Sequence, residues 1–280
     1  MKKRSNNLNV VKGEAQSGNF NYSNPPIPEG YEYVTGKWNN GFVIERMTED
    51  NSQFVWVPVE YLKTNGTQNG NDFTEKFGRR RFLSEEFSEK KFYEPMNEEL
   101  LLQKESVKKY GGFYISRYLI SKNQENNMPQ SVKWAMPWTY ISYKEAKKVA
   151  ETFEVGETLK SHLPYGLEYD SLFEWIIESN AKSRKEVIID STKWGNYWNT
   201  PEPKGEATRT GDDERFVANR IYDIAGNVDE WSQEKCNEER VVRGGYYLDE
   251  GNRISAVYRN RFNENYIYKY TGYRIALYIK

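Results

Sequence analysis

The chain has one cysteine and one histidine in 280 residues, Cys236 and His162. A single thiol excludes a disulfide within the chain. Without a cluster of thiolates or imidazoles, a zinc or copper site built from those ligands is excluded as well. Nucleophilic catalysis of the Ser-His-Asp or Cys-His kind would have to pass through His162. An excess of either charge is missing too: Lys and Arg number 40, Asp and Glu 41, for a net charge of −1. That balance lacks the basic field that nucleic-acid binding needs. Local runs such as "GRRR" (78–81) and "EKK" (89–91) read as solvated faces. No apolar run reaches the ~18–20 residues of a membrane helix, so no membrane insertion is expected. The N-terminal "MKKRSNNLNVVKGEAQSGN" is charged but lacks the apolar stretch of a secretory signal. The expectation is therefore synthesis in a cytoplasm, with any action outside reached on a particle.

Aromatic residues are what the chain has in abundance: 22 Tyr, 13 Phe and 8 Trp, or 15% of it. Tyr and Trp offer large contact area with few rotamers to freeze, and each carries a polar tip. This composition suits an aromatic-cored, β-rich domain, a recognition surface, or both.

Residues 1–28 are polar and end in "SNPPIPEG", whose prolines favour extended backbone. They read as an arm that packs on a partner. From Tyr31 the pattern turns to strands: "YEYV" (31–34), "GFVIER" (41–46) and "QFVWVPVE" (53–60), with an Asn-Gly hairpin signal in "KWNNG" (37–41). "TNGTQNGND" (64–72) reads as a loop. "NEELLLQKESVKKY" (97–110) predicts a helix capped by Asn97 and stopped by Gly111-Gly112, which read as a turn rather than a phosphate loop. "GFYISRYLIS" (112–121) reads as a buried strand. "SYKEAKKVAETF" (142–153) carries a capping box, Ser142 with Glu145, and a face of Ala146, Val149, Ala150 and Phe153. "GLEYDSLFEWIIES" (166–179) has a stripe of Leu172, Phe173, Ile176 and Ile177, and His162 just before it reads as a packing residue. The polar stretch 193–218 reads as a long loop, a kind that is often functional. Inside it, Asp212 and Asp213 suit either a hard cation or a solvated turn. "TGYRIALYIK" (271–280) predicts an alternating strand. The organisation expected is an extended arm over 1–28, a β-rich adaptor ending in a helix over 29–110, and a main domain over 111–280.

Across about 110–280, an ordered series of motifs resembles the formylglycine-generating enzyme/sulfatase-modifying superfamily. The series is "YGGFYISRY", "SYKEAKKVAETF", "LPYGLEYDSLFEWI", "IYDIAGNVDEW", "RVVRGG", "SAVYRNRF" and "GYRIAL". "GNVDEW" followed by "RGG" and "GYRIA" is its most specific part. The resemblance implies an α+β, C-type-lectin-like fold with short helices and irregular loops, preceded here by a small β-rich region. The match departs at Tyr165 and Asp170, where the family usually has Thr and repeated Glu/Ala. It departs again at Asp229, which replaces an aromatic and is expected to face solvent or a partner. Within "IYDIAGNVDEW", Gly226-Asn227 reads as a tight turn and Trp231 as a core anchor.

The family's formylglycine-generating members use a copper-binding cysteine pair, and its ergothioneine-pathway relatives use an iron site with several histidines. One Cys and one His support neither, so no copper or iron is expected and the resemblance implies a non-catalytic member. What it does imply is structural calcium. One candidate set is Asn199 and Asp213 through side chains, with Thr200 and Arg215 through carbonyls. The other is Gly226, Val228 and Glu230. Calcium prefers such oxygen ligands from bent loops.

Non-catalytic relatives display ligand-binding surfaces, and residues 246–273 hold eleven Tyr or Asn. The candidate contact residues are Tyr246, Tyr247, Tyr258, Asn260, Asn263, Asn265, Tyr266, Tyr268 and Tyr270, since paratopes combine rigid aromatics with adaptable polar groups. The expected function is a non-enzymatic ligand-binding or display module on a phage or phage-like particle, recognising a host-surface glycan or protein. Residues 1–28 would meet other particle proteins, with homo-oligomerisation open. The competing readings are a structural decoration protein of a capsid or tail, and a divergent enzyme of the family working near His162, Cys236 or the Arg259/Arg261 pair.

Overall fold

The structure is a computed structural model that describes residues 25–48, 50–59, 62, 76–80, 82 and 92–280, and also places the strand Val10–Val11. Most of the expected arm, the loop at 64–72, Arg81 of "GRRR" and the "EKK" run lie outside the described residues.

Two sheets organise the chain. The larger has six strands in the order Leu159–His162, Ala276–Ile279, Phe113–Ser116, Gln53–Val57, Val43–Arg46 and Tyr31–Thr35, each antiparallel to its neighbours. Alternate residues of one strand serve opposite faces. Val55, Val57, Phe113, Ile115 and Ala276 face one core, and Phe54, Trp56, Tyr114, Leu277 and Ile279 face the other. Both faces are covered, so the central strands read as continuous apolar runs. This is why Ala276–Ile279 is buried at all four positions rather than alternating as the sequence suggested.

Helices cover the two faces. α1 (Glu98–Tyr110) has Asn97 at its N-terminus, accepting from the Leu100 N–H, and ends at Gly111, whose φ of 82° is left-handed. α2 (Tyr143–Phe153) carries the expected capping box and buries Tyr143, Ala146, Ala150 and Phe153 on the Phe54 side. α3 (Gly166–Glu178) packs Tyr169, Leu172, Phe173, Trp175 and Ile176 on the Val55 side. It is buried nearly all round, wider than the expected stripe, because the second sheet also packs on it. A short helix, α4 (Arg184–Ile188), follows with its own Ser183–Glu186 capping box and was not foreseen.

The second sheet runs Arg259–Phe262, Glu239–Arg243, Asp229–Cys236 and Thr271–Gly272, the last pair being parallel, and Phe92–Tyr93 pairs with the far end of Asp229–Cys236. The division expected at 110/111 corresponds to no break in either sheet. Gln53–Val57 and Phe113–Ser116 are hydrogen-bonded neighbours, and Phe92–Tyr93 joins the second sheet.

Buried ions tie α3 to the second sheet. Asp170 accepts from Arg243 at 2.9 Å, from Arg259 at 2.6 Å and from the Arg80 amide at 2.8 Å. Glu234 holds the same two arginines, at 3.3 Å and 3.0 Å. Burial opposes ionisation of Asp170, but Arg259 and Arg243 outweigh it and hold its carboxyl below the usual range. Nearby, Arg274 grips both Glu230 oxygens at 3.0 and 2.9 Å, and the Tyr169 hydroxyl donates to the same carboxylate at 2.8 Å.

Candidate functional site

The "GNVDEW" stretch forms the corner between the sheets and the C-terminal segment. Gly226 and Asn227 are both left-handed, with φ of 71° and 65°. A Cβ on Gly226 would lie 2.2 Å from the Asn196 carbonyl oxygen, so only glycine fits there. Trp231 is buried and its Nε1 donates to the Ile141 carbonyl at 3.0 Å. Asp229 corrects the sequence reading. It is 1% exposed, and the strand pairing turns it inward, away from solvent.

From this corner an aromatic ladder grows outward. Phe262 packs edge-on to Trp231, with ring centroids 6.2 Å apart. Tyr266 stacks on Phe262 at 5.7 Å with the ring planes 1° apart. Tyr268 follows at 4.1 Å, Tyr270 at 4.8 Å and Tyr246 at 4.3 Å, and Tyr247 closes the series edge-on at 5.7 Å. Tyr266, Tyr268 and Tyr270 are spaced by two, which in extended backbone puts them on one side. Tyr266 is 42% exposed, so the outer rungs meet solvent while the inner ones root in the core. Hydrogen bonding to Tyr266, with a smaller contribution from desolvation, pushes the Tyr268 phenol up to about 12.

Five of the nine candidate contact residues thus come together: Tyr246, Tyr247, Tyr266, Tyr268 and Tyr270. Asn263 and Asn265 build the turn instead, and Asn260 lies in the strand Arg259–Phe262. Asn263 Oδ1 accepts from the Asn265 amide at 3.0 Å, its carbonyl accepts from Tyr266 at 2.9 Å, and Asn260 Oδ1 accepts from the Arg261 amide. Tyr258 is half-buried in a separate turn, its amide donating to Ser255. Counting residue types missed Phe262, although its i, i+4 spacing to Tyr266 was visible.

A second feature went unnoticed in the sequence. The "VKWAMPWTY" stretch (132–140) lies against the ladder, the Tyr140 amide donating to the Tyr268 carbonyl at 2.9 Å. Trp134 and Tyr140 hold left-handed backbone, φ 66° and 55°, and are 60% and 66% exposed. Such φ values in bulky residues are strained and cluster at functional surfaces. These residues, with Trp138, Lys122 and Arg209, line a cavity of about 630 Å³. The Lys122 ammonium sits 4.2 Å above the Trp138 ring.

The side chains of the expected calcium ligands are hydrogen-bonded within the chain. Asn199 Oδ1 accepts from the Gly251 amide at 3.0 Å, while Asp213 is turned to Arg215 at 3.0 and 2.9 Å. Thr200 is held by its own hydroxyl, which donates to the Gly195 carbonyl. In the second set, Gly226 and Val228 flank the left-handed turn, but the Glu230 carboxylate is spent on Arg274 and Tyr169. Among the described residues, no group of three or more His, Cys, Asp or Glu converges on a metal-sized point.

Of the four residues of the competing enzyme reading, His162, Cys236 and Arg259 are buried and Arg261 is exposed. His162 is buried between the Tyr165 and Tyr278 rings, its Nε2 2.8 Å from Glu168. Burial opposes its charge, but Glu168 outweighs burial and raises its pKa. Cys236 is buried, Arg259 belongs to the buried ion network, and Arg261 is an exposed partner of Glu239 at 3.0 Å.

No protein-family model matches the chain, and no curated protein matches it. Solved structures similar to it include the following three. Treponema denticola variable protein 1 is 12% identical with a TM-score of 0.42, over 59% of this chain and 84% of that one. PvdO from Pseudomonas aeruginosa is 15% identical with a TM-score of 0.44, over 60% and 81%. CarF is 13% identical with a TM-score of 0.42, over 60% and 87%. The likeness is distant and one of fold alone. In fold class the protein is α+β, as its motifs implied. No helix among the described residues is long and apolar enough to cross a membrane.

Proposed function

We propose that the protein is a non-enzymatic ligand-binding module whose contact surface is the aromatic ladder. The carrying observation is the continuous run of rings Phe262, Tyr266, Tyr268, Tyr270 and Tyr246, anchored on Trp231 and open to solvent at Tyr266. Side chains already locked by one another lose little entropy on binding, which is what a recognition surface needs. The groove beside it adds exposed Trp134 and Tyr140 with the cations Lys122 and Arg209.

The ligand class that suits this surface is a saccharide, because sugar faces stack on aromatic rings and hydroxyls bond to phenol tips. A host-surface glycan on a cell, met by a phage-like particle carrying this chain, is the setting we infer. Catalysis is not part of the reading: the sequence lacks the cysteine pair and histidine cluster of the catalytic relatives, and His162 and Cys236 are both buried.

The test is binding of the full chain to an array of immobilised oligosaccharides. Tyr266→Ala with Tyr268→Ala should lower binding by about 30-fold or more, the loss of a hot spot worth about 2 kcal/mol. Circular dichroism should stay unchanged. Unaltered binding by the double variant would remove the ladder from the reading.

A further inference from the structure

Asp229 raises a question the ladder does not answer. It is 1% exposed, and neither Oδ1 nor Oδ2 completes a hydrogen bond. The Gly245 N–H faces this carboxylate. The next amide, Tyr246 N–H, donates to Asp249 Oδ2 at 3.1 Å. Two consecutive amides face two different carboxylates, so Asp229 and Asp249 are neighbours. Gly245 lies between them: a Cβ there would sit 3.3 Å from Asp249 Oδ2.

Neither carboxylate has a cationic partner among the described residues. The arginine beside Asp249 in the surface groove, Arg253, is paired with Glu250 at 2.9 Å. The charges that act on Asp229 are Asp249 and Glu230, and Glu230 is already neutralised by Arg274. A third oxygen stands beside the pair. Thr271 is the register partner of Asp229 in the parallel pairing, which puts both side chains on one face. Its Oγ1 is buried and has no partner. A buried, uncompensated carboxylate costs several kcal/mol. Among the described residues no cation offsets that cost, and only the Gly245 amide faces the charge.

Tyr246 and Tyr270 stack beside the pair with ring centroids 4.3 Å apart, and the Asp229 amide is held by the Tyr270 carbonyl at 2.8 Å. Oxygen-only donors on a bent loop select a hard cation over a soft one.

We propose that Asp229, Asp249 and the Thr271 hydroxyl form a binding site for a hard divalent cation, Ca²⁺ first, at the inner end of the aromatic ladder. Carbonyls and water would complete its coordination, as is usual for calcium. The site shares no residue with the two calcium sets drawn from the motifs. A bound ion would clamp the Gly245–Asp249 turn to the two strands and so hold Tyr246 and Tyr270 in their stack. The inference rests on the carboxylate pair and stands whether or not the ladder binds sugar.

Chelator-treated full chain should be titrated with CaCl₂ by calorimetry, with thermal unfolding followed in parallel. One saturable site is expected, with unfolding moved to higher temperature. Asp249→Asn and Asp229→Asn should each weaken the affinity by about tenfold or more, since charge count sets calcium affinity. Asp249 is the less buried of the two, so its variant tests the site even if Asp229→Asn disturbs folding. Asn199→Ala with Asp213→Ala should leave the affinity unchanged. No calcium heat and no thermal shift in the unaltered chain would overturn the proposal. So would a shift that survives Asp249→Asn, or one abolished by the Asn199 and Asp213 changes. A chain made more stable by Asp229→Asn and indifferent to calcium would identify a proton-sharing pair instead.

Discussion

Single residues here often hold positions that their type would not choose. Asp223 has left-handed backbone, φ 56°, and is buried, with Oδ2 accepting from the Thr210 hydroxyl and the Gly211 amide. Burial outweighs those bonds and raises its pKa from 3.8 to about 6. The folded state therefore binds this proton more tightly than the unfolded chain. Below about pH 4 both states are protonated and the contribution is complete; it is lost as pH rises to about 6. The loss amounts to about 3 kcal/mol. Asp223→Asn keeps an acceptor and tolerates left-handed backbone. Denaturant melts across this pH range should show the decline in the unaltered chain and a flatter profile in the variant. An equal slope in both would assign the decline to other groups.

At the scale of elements, some choices were local and some were not. The boundaries of α1 and α2 follow from Asn97, the Ser142–Glu145 box and Gly111, signals that act within one turn and are visible in the chain. Ser142→Ala should cost about 1 kcal/mol in a denaturant melt, as for other helix caps. The place of α3 depends instead on residues far away in sequence. Asp170 meets Arg243 and Arg259 across the second sheet. Asp170→Asn leaves two buried arginines with only Glu234 between them, and should destabilise by about 3–5 kcal/mol. A cost comparable to that of the Ser142 cap would mean that water reaches the network. From sequence, Asp170 looked like a departure from a family pattern; the reason for a carboxylate there lies in arginines about 70 to 90 positions downstream.

On the scale of the whole molecule, the described strands of the 29–110 stretch are built into the fold. Strands Gln53–Val57 and Phe113–Ser116 share a ladder, and the two cores take residues from both sides of position 110. Thermal unfolding should therefore be one cooperative transition, coincident in near- and far-ultraviolet circular dichroism. A chain cut to 111–280 would expose the edge of Phe113–Ser116 and both cores, and should show no cooperative melt. A folded, cooperative fragment would restore the division expected from composition.

The sequence by itself determined what depends on neighbours along the chain: helix caps, glycine corners such as Gly226, alternation, and the chemistry that one cysteine and one histidine exclude. The fold class came with the resemblance that "GNVDEW", "RGG" and "GYRIA" carry. The sequence singled out the tyrosines of 246–270 by kind, but not the ladder that they form with Phe262. Tertiary structure alone decided the direction of Asp229, the pairing of Asp170 with its arginines and the joining of 31–57 to the main sheet. Each of these is fixed by contacts between residues distant in the chain, and the side of a strand that is buried depends on what packs against it.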